Sequence, residues 1–140
     1  MYETVHIQIE NQIPDIEKVC NQIEQFGKTY NIDQKVIFAL HLALDEILTN
    51  IISYGYEDDD NHQIDVRLKL SKDRMIVEIE DDGKPFHPNQ APSPDIDKPL
   101  HERKIGGLGL YLVNNLMNSV DYKSQNGKNI LTLVKKYNPK

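Results

Sequence analysis

Three short segments of the chain carry residues whose types and spacing suit chemistry. In ALDEILTNIISYGY, Glu46 and Asn50 stand four apart, so a helix would put both on one face. Ala43 and Ser53 flank the pair, and Ile37, Leu44, Leu48 and Ile51 take the opposite side. A carboxylate beside a carboxamide offers oxygen ligands to a divalent cation, or a general base to a reacting hydroxyl. The same pair also fits the wet face of an ordinary amphipathic helix. In MIVEIEDDGKPF, Met75, Val77 and Ile79 share the inward parity of a strand, and Asp81 falls on it as well. A carboxylate turned toward a core needs hydrogen-bond donors, which the exocyclic amine of an adenine would supply. Gly83 then permits a turn, or the close approach of a ligand to the backbone. Alternatively the strand stops at Glu80, and Asp81-Asp82-Gly83 is an exposed turn.

The third segment is KIGGLGLYLVNNL. Gly106, Gly107 and Gly109 lie just before or inside the first turn of a helix, where backbone N–H groups and the helix dipole favour an anion such as phosphate. It is not a Walker A loop, because no Gly-Lys-Ser/Thr follows. Nor is it a dinucleotide fingerprint, since Leu112 stands where the third glycine belongs and no strand precedes it. Close helix packing would use the same glycines equally well.

The elements that must position these segments follow from periodicity. Residues 4–9 alternate as a half-buried strand. Pro14-Asp15 opens a helix to about residue 30, with Ile16, Val19, Ile23 and Phe26 at helical spacing and Gly27 weakening or ending it. A longer helix over about 34–53 is apolar nearly all round, which predicts a position sandwiched between layers. Residues 63–70 and 75–80 alternate around a turn and predict an antiparallel hairpin. Residues 81–103 show no periodicity and hold five of the chain's seven prolines, as a binding loop or a disordered segment would. A helix over 106–117 and two strands at 120–124 and 129–136, joined by Asn126-Gly127, complete the order. That order predicts one α+β domain over 1–140, a two-layer sandwich of a mixed, largely antiparallel sheet with about three helices on one face.

Composition narrows the function. The chain has 140 residues, 39% of them apolar, and a net charge of −6. A pI near 5.3 argues against nucleic acid and anionic membrane surfaces as partners. No unbroken apolar run of about 18 residues exists and the first ten residues lack a signal-peptide pattern, so a cytoplasmic protein is expected. Cys20 stands alone, which excludes an internal disulfide and any cysteine-based zinc site. His41, His87 and His101 have no metal-ligand spacing, and Asp58-Asp59-Asp60 reads as a solvated turn.

Taken in order, Glu-x-x-x-Asn on a helix, Asp-x-Gly ending a strand, a proline-rich loop and Gly-Leu-Gly-Leu opening a helix resemble the GHKL superfamily, whose ATP site is the Bergerat fold. The single-domain form and the version DDGKPF are most similar to the anti-sigma-factor serine kinases of bacterial partner-switching systems. The resemblance implies that Asn50 binds Mg²⁺ bridging ATP phosphates and that Glu46 is the general base. It implies that Asp81 and Gly83 take the adenine, and that the segment Gly107, Leu108, Gly109 and Leu110 takes the phosphates through backbone amides. Residues 84–104 would form an ATP lid, with Arg103 and Lys104 as phosphate contacts by position. Two departures stand out. Pro85 replaces the second glycine of Asp-x-Gly-x-Gly, and Lys128-Asn129 replaces a Gly-Thr that often lines the adenine pocket, so Asn129 would stand in for the threonine.

The implied activity is ATP-dependent serine phosphorylation of a small STAS-type antagonist, with sequestration of a sigma factor and homodimerisation through the first strand or first helix. The alternative is a binding module whose ATP only controls which partner it holds. No eukaryotic-type His-Arg-Asp or Asp-Phe-Gly set is present, and at this length a complete sensor histidine kinase is not expected.

Overall fold

Alternating strands with one apolar face must pair and cover that face, and the chain does so with a single sheet. The computed structural model describes residues 3–85 and 107–137, for 107–110 the backbone alone. Five strands, β1 (Glu3–Glu10), β2 (Gln63–Leu70), β3 (Arg74–Asp81), β4 (Ser119–Gln125) and β5 (Lys128–Lys136), lie in the order β1-β2-β3-β5-β4. Every neighbouring pair is antiparallel, so the sheet has no parallel component among the described strands. The register sets Val66 beside Ile79 and Ile79 beside Leu131, which aligns the inward residues in rows across the sheet. Val66, Leu68, Val77, Ile79 and Leu133 are completely buried. The other face carries part-exposed ion pairs, Arg67 to Glu78 at 3.3 Å and Lys69 to Glu78 at 3.5 Å. Such pairs contribute about 0–1 kcal/mol each, so the apolar face holds the sheet in place.

Three helices cover that face: α1 (Ile16–Thr29), α2 (Gln34–Tyr54) and α3 (Gly107–Leu116). A 3₁₀ turn at Ile13–Asp15, with Pro14 in its first turn, leads into α1. Gly27 does not end α1; it is buried, and a Cβ there would lie 2.9 Å from Ile37 Cγ1, so the glycine sets how closely α1 approaches α2. Asp33 caps α2 by accepting a hydrogen bond from the Lys35 backbone N–H at 2.9 Å. Burying a side chain such as Leu40, Leu44 or Leu48 of α2 stabilises the fold by about 1.5–3 kcal/mol.

The expected sandwiching of α2 between layers is corrected. It lies in one helical layer against the sheet and touches both α1 and α3, which accounts for its apolar breadth while Phe38 remains 67% exposed. It is also long and apolar enough to cross a membrane by length and composition, yet Ile37, Leu40, Leu44 and Leu48 lie in the shared core. The Asn126-Gly127 signal is realised as a tight turn with φ of 55° and 77° between β4 and β5. Lys135 then donates to the Leu116 carbonyl at 2.7 Å and caps the C-terminus of α3.

Candidate functional site

The sheet brings the residues of the second segment to one end of the inner face. β3 continues through Asp81, which pairs in register with Asn129 of β5, so the alternative of an exposed turn is excluded. Asp81 and Asn129 are the two buried polar side chains among the described residues, at 7% and 4% exposure. Asp81 Oδ1 accepts from the Gly83 N–H at 2.8 Å and from Asn129 Nδ2 at 3.0 Å. Burial raises the pKa of this carboxyl, and the two hydrogen bonds oppose the rise. Oδ2 keeps its acceptor capacity, with no hydrogen bond among the described residues. A buried carboxylate with one anchored and one unspent oxygen fits a ligand that presents an N–H donor.

Gly83 is required by close approach. A Cβ there would lie 2.8 Å from the Gly55 carbonyl oxygen, and the neighbouring Lys84 N–H donates to that same oxygen at 2.7 Å. The loop after α2 is thereby fastened to the loop after β3. His62 strengthens the fastening, with Nε2 at 2.8 Å from Asp58 and Nδ1 at 3.2 Å from Asp82. Its backbone N–H donates to Asn11 Oδ1 at 2.9 Å, and its ring stacks on Tyr56 with centroids 4.3 Å apart. The two carboxylates raise the His62 pKa above its ordinary value. The Tyr56 hydroxyl is shut off from solvent and makes no hydrogen bond of good geometry among the described residues. Burial, and then the charges of Asp81 and Asp82, raise its pKa. Sequence reasoning did not single out Tyr56, His62 or Asp82. Asp58, read as part of a solvated turn, is a partner of His62 in this clasp.

Glu46 and Asn50 share a face of α2 as their spacing requires. Asn50 Nδ2 donates to Glu46 Oε1 at 3.3 Å, and both side chains are half-buried. The contact uses the Asn50 amide nitrogen and leaves its carbonyl oxygen out of the pair. One amide oxygen and one carboxylate fit a hard divalent cation that takes the rest of its shell from phosphate and water. Asn50 precedes Gly55 by five residues, roughly 7–8 Å along the axis at about 1.5 Å per residue, and Glu46 lies farther along the same axis. A ligand bound at Asp81 and extending along α2 would thus meet Asn50 before Glu46.

α3 begins at Gly107, so Gly107, Leu108, Gly109 and Leu110 form its opening turn as expected, and α3 packs against α2. Arg103, Lys104 and all of the expected lid beyond Pro85 lie outside the described residues, as do His87 and His101. His41 is exposed, 3.7 Å from Glu24, in keeping with a surface histidine.

Residues 9–135 match the histidine kinase-like ATPase domain. The chain belongs to that family. It is 33% identical over 97 residues to the serine/threonine-protein kinase BtrW of Bordetella bronchiseptica, covering 69% of this chain and 68% of that protein. It is 33% identical over 121 residues to the serine-protein kinase RsbW of Bacillus subtilis, covering 81% of this chain and 69% of the relative. For an RsbW of Bacillus cereus, the match spans 59% of the relative's length.

Among solved structures, the RsbU and RsbW domains of Rv1364c from Mycobacterium tuberculosis superpose with a TM-score of 0.68 at 18% identity. That match covers 95% of this chain and 32% of the other. The histidine kinase domain of the Erythrobacter litoralis EL346 blue-light activated kinase gives 0.56 at 15% identity, covering 88% of this chain and 59% of that one. These two likenesses show the fold. The resemblance to the serine kinases of partner-switching systems, and the α+β class with its largely antiparallel sheet, are borne out.

Proposed function

We propose that this chain is an ATP-dependent serine protein kinase that works with Mg²⁺ in the cytoplasm of a bacterial partner-switching system. On this reading it phosphorylates a small STAS-type antagonist, sequesters a sigma factor or similar regulator, and acts as a homodimer. The observation that carries the reading is the buried Asp81 carboxylate, anchored at Oδ1 and open at Oδ2, joined through the Gly83–Gly55 contact to the helix that bears Glu46 and Asn50. The named relatives, both kinases that act on serine or threonine, support the class of reaction.

Phosphoryl transfer asks chiefly for positioning and charge neutralisation. Asp81 Oδ2 accepts from the adenine amine. Asn50 would hold the cation through its carbonyl oxygen, and the cation would neutralise phosphate charge. The N-terminal amides of α3, among them those of Gly107 and Gly109, would face the phosphates, and Arg103 and Lys104, by their position in the sequence, would add positive charge. Glu46 takes the proton from the attacking serine hydroxyl as its oxygen bonds to the terminal phosphorus, and ADP leaves with the electrons of the broken P–O bond.

Calorimetry with Mg²⁺ and ATP tests the site. Micromolar binding by the wild type is expected, weakened about a hundredfold by Asp81→Asn and about tenfold by Asn50→Ala. No binding by the folded wild type would overturn the proposal. The Glu46–Asn50 hydrogen bond is also what a purely structural pair would show, which keeps the nucleotide-gated binding module as the second reading. A base is needed by the enzyme alone, so substitution of Glu46 separates the two.

A further inference from the structure

Asn129 is buried and its hydrogen-bonding capacity is full. Nδ2 donates to Asp81 Oδ1 at 3.0 Å and to the Gly83 carbonyl at 2.8 Å. Oδ1 accepts from the Tyr122 hydroxyl and from Ser124 Oγ, both at 2.9 Å. The amide has one possible orientation, because the Gly83 carbonyl can only accept and so must face the NH₂ group. The two hydroxyls of β4 then both meet the amide oxygen. An amide has two donors and two acceptor sites, and all four are used inside the protein.

Two consequences follow for a ligand. Asn129 has nothing left with which to read a base, so it does not act as a direct contact. Asp81 Oδ1 is also spent, held by Gly83 and Asn129, which fixes the carboxylate plane and leaves Oδ2 as the acceptor that faces outward from the pair. We propose that Tyr122, Ser124 and Asn129 form a positioning relay that sets base selectivity: the hydroxyls fix the amide, and the amide fixes the Asp81 carboxylate. A base with an amino group opposite Oδ2 is then preferred over one with a carbonyl oxygen there. The proposal rests on the nucleotide reading above and extends it to an edge strand that holds none of the expected site residues. Register explains how the strand reaches the site, since Ser124 pairs with Asn129 and Tyr122 with Leu131.

Calorimetry with the Mg²⁺ complexes of ATP and inosine triphosphate, which differ in a 6-amino against a 6-oxo group, reads the selectivity as a ratio of dissociation constants. The wild type should favour ATP. Tyr122→Phe and Ser124→Ala should each lower the ratio about threefold and the double variant about tenfold, chiefly through lost ATP affinity. Ser124→Thr keeps the hydroxyl and should keep the ratio. An unchanged ratio in the double variant, or equal weakening of both nucleotides, overturns the relay while leaving the nucleotide site intact. Failure of the wild type to bind either nucleotide overturns the site itself. Should the double variant not fold, Ser124→Ala alone decides the matter, since Ser124 is exposed on the edge strand and its loss leaves the core untouched.

Discussion

The two ends of the candidate site are built on different principles. At the base end, Asp81, Asn129, Gly83 and Gly55 are joined by short hydrogen bonds and one close backbone approach, and the amide at the centre has no unspent group. At the phosphate end, Glu46 and Asn50 share a single 3.3 Å hydrogen bond and sit half-buried on α2. A saturated network in a low-dielectric setting is rigid and preorganised, because every alternative arrangement leaves a buried polar group unpaired. A single long hydrogen bond between half-exposed groups is readily exchanged for a cation or a substrate hydroxyl. On the proposed reading, the chain thus shapes the base site in advance and leaves the reacting end to be completed by what binds there.

The largest expected effect probes the loose end. Glu46→Gln should lower phosphoryl transfer about 10²- to 10⁴-fold, the usual contribution of a positioned base. ATP affinity, which the proposal assigns to the base end, should change less than about threefold. Transfer measured with labelled ATP, beside calorimetry of the same variant, checks both halves. Undiminished transfer would remove Glu46 from the chemistry, and equal partner switching without transfer would favour the binding module.

A smaller effect probes the rigid end. Gly83→Ala would press a methyl group to 2.8 Å from the Gly55 oxygen, part the two loops, and lower stability by about 1–3 kcal/mol. ATP affinity should fall with it, about tenfold, because Gly83 also holds Asp81 and Asn129. Gly127→Ala is the control. Its φ of +77° makes alanine strained with nothing nearby to clash, so stability should fall by about 1 kcal/mol with ATP affinity unchanged. Thermal melts and calorimetry on both variants distinguish a local clasp from general destabilisation.

The smallest expected effect concerns pH. His62 gains two carboxylate partners on folding, and its pKa is raised above the ordinary 6.5. Its contribution to stability is therefore fully present below that ordinary value and is lost as pH rises through the raised one. Melting temperatures of the wild type from about pH 6 to about pH 9 should show this decline. His62→Gln should flatten it, and an unchanged slope would show that the clasp is held by the Gly55 and Asn11 contacts alone.

Much of the fold was legible because apolar periodicity is a local property. Val77 and Ile79 declare their face, Pro14 marks a helix start, and Asn126-Gly127 marks a hairpin. The α1–α2 contact was not legible, since Gly27 reads as a helix breaker until Ile37 is found against it. Within the site, the Glu46–Asn50 pair and the inward Asp81 could be read from spacing and parity. Tyr56 and His62 could not, because nothing in the spacing of an acidic loop says that it folds back on Asp82.

The sequence by itself determined the strands and helices, the residues that face the core, and the family to which the chain belongs, because these depend on periods of two and 3.6 and on short motifs. Only the tertiary structure decided that Asn129 meets Asp81, that Tyr122 and Ser124 meet Asn129, and that Gly83 meets Gly55. Those contacts join β5, β4 and the end of α2 to the end of β3 across separations of up to 48 residues. Hydrogen-bond saturation is a property of such a meeting, and no single segment carries it.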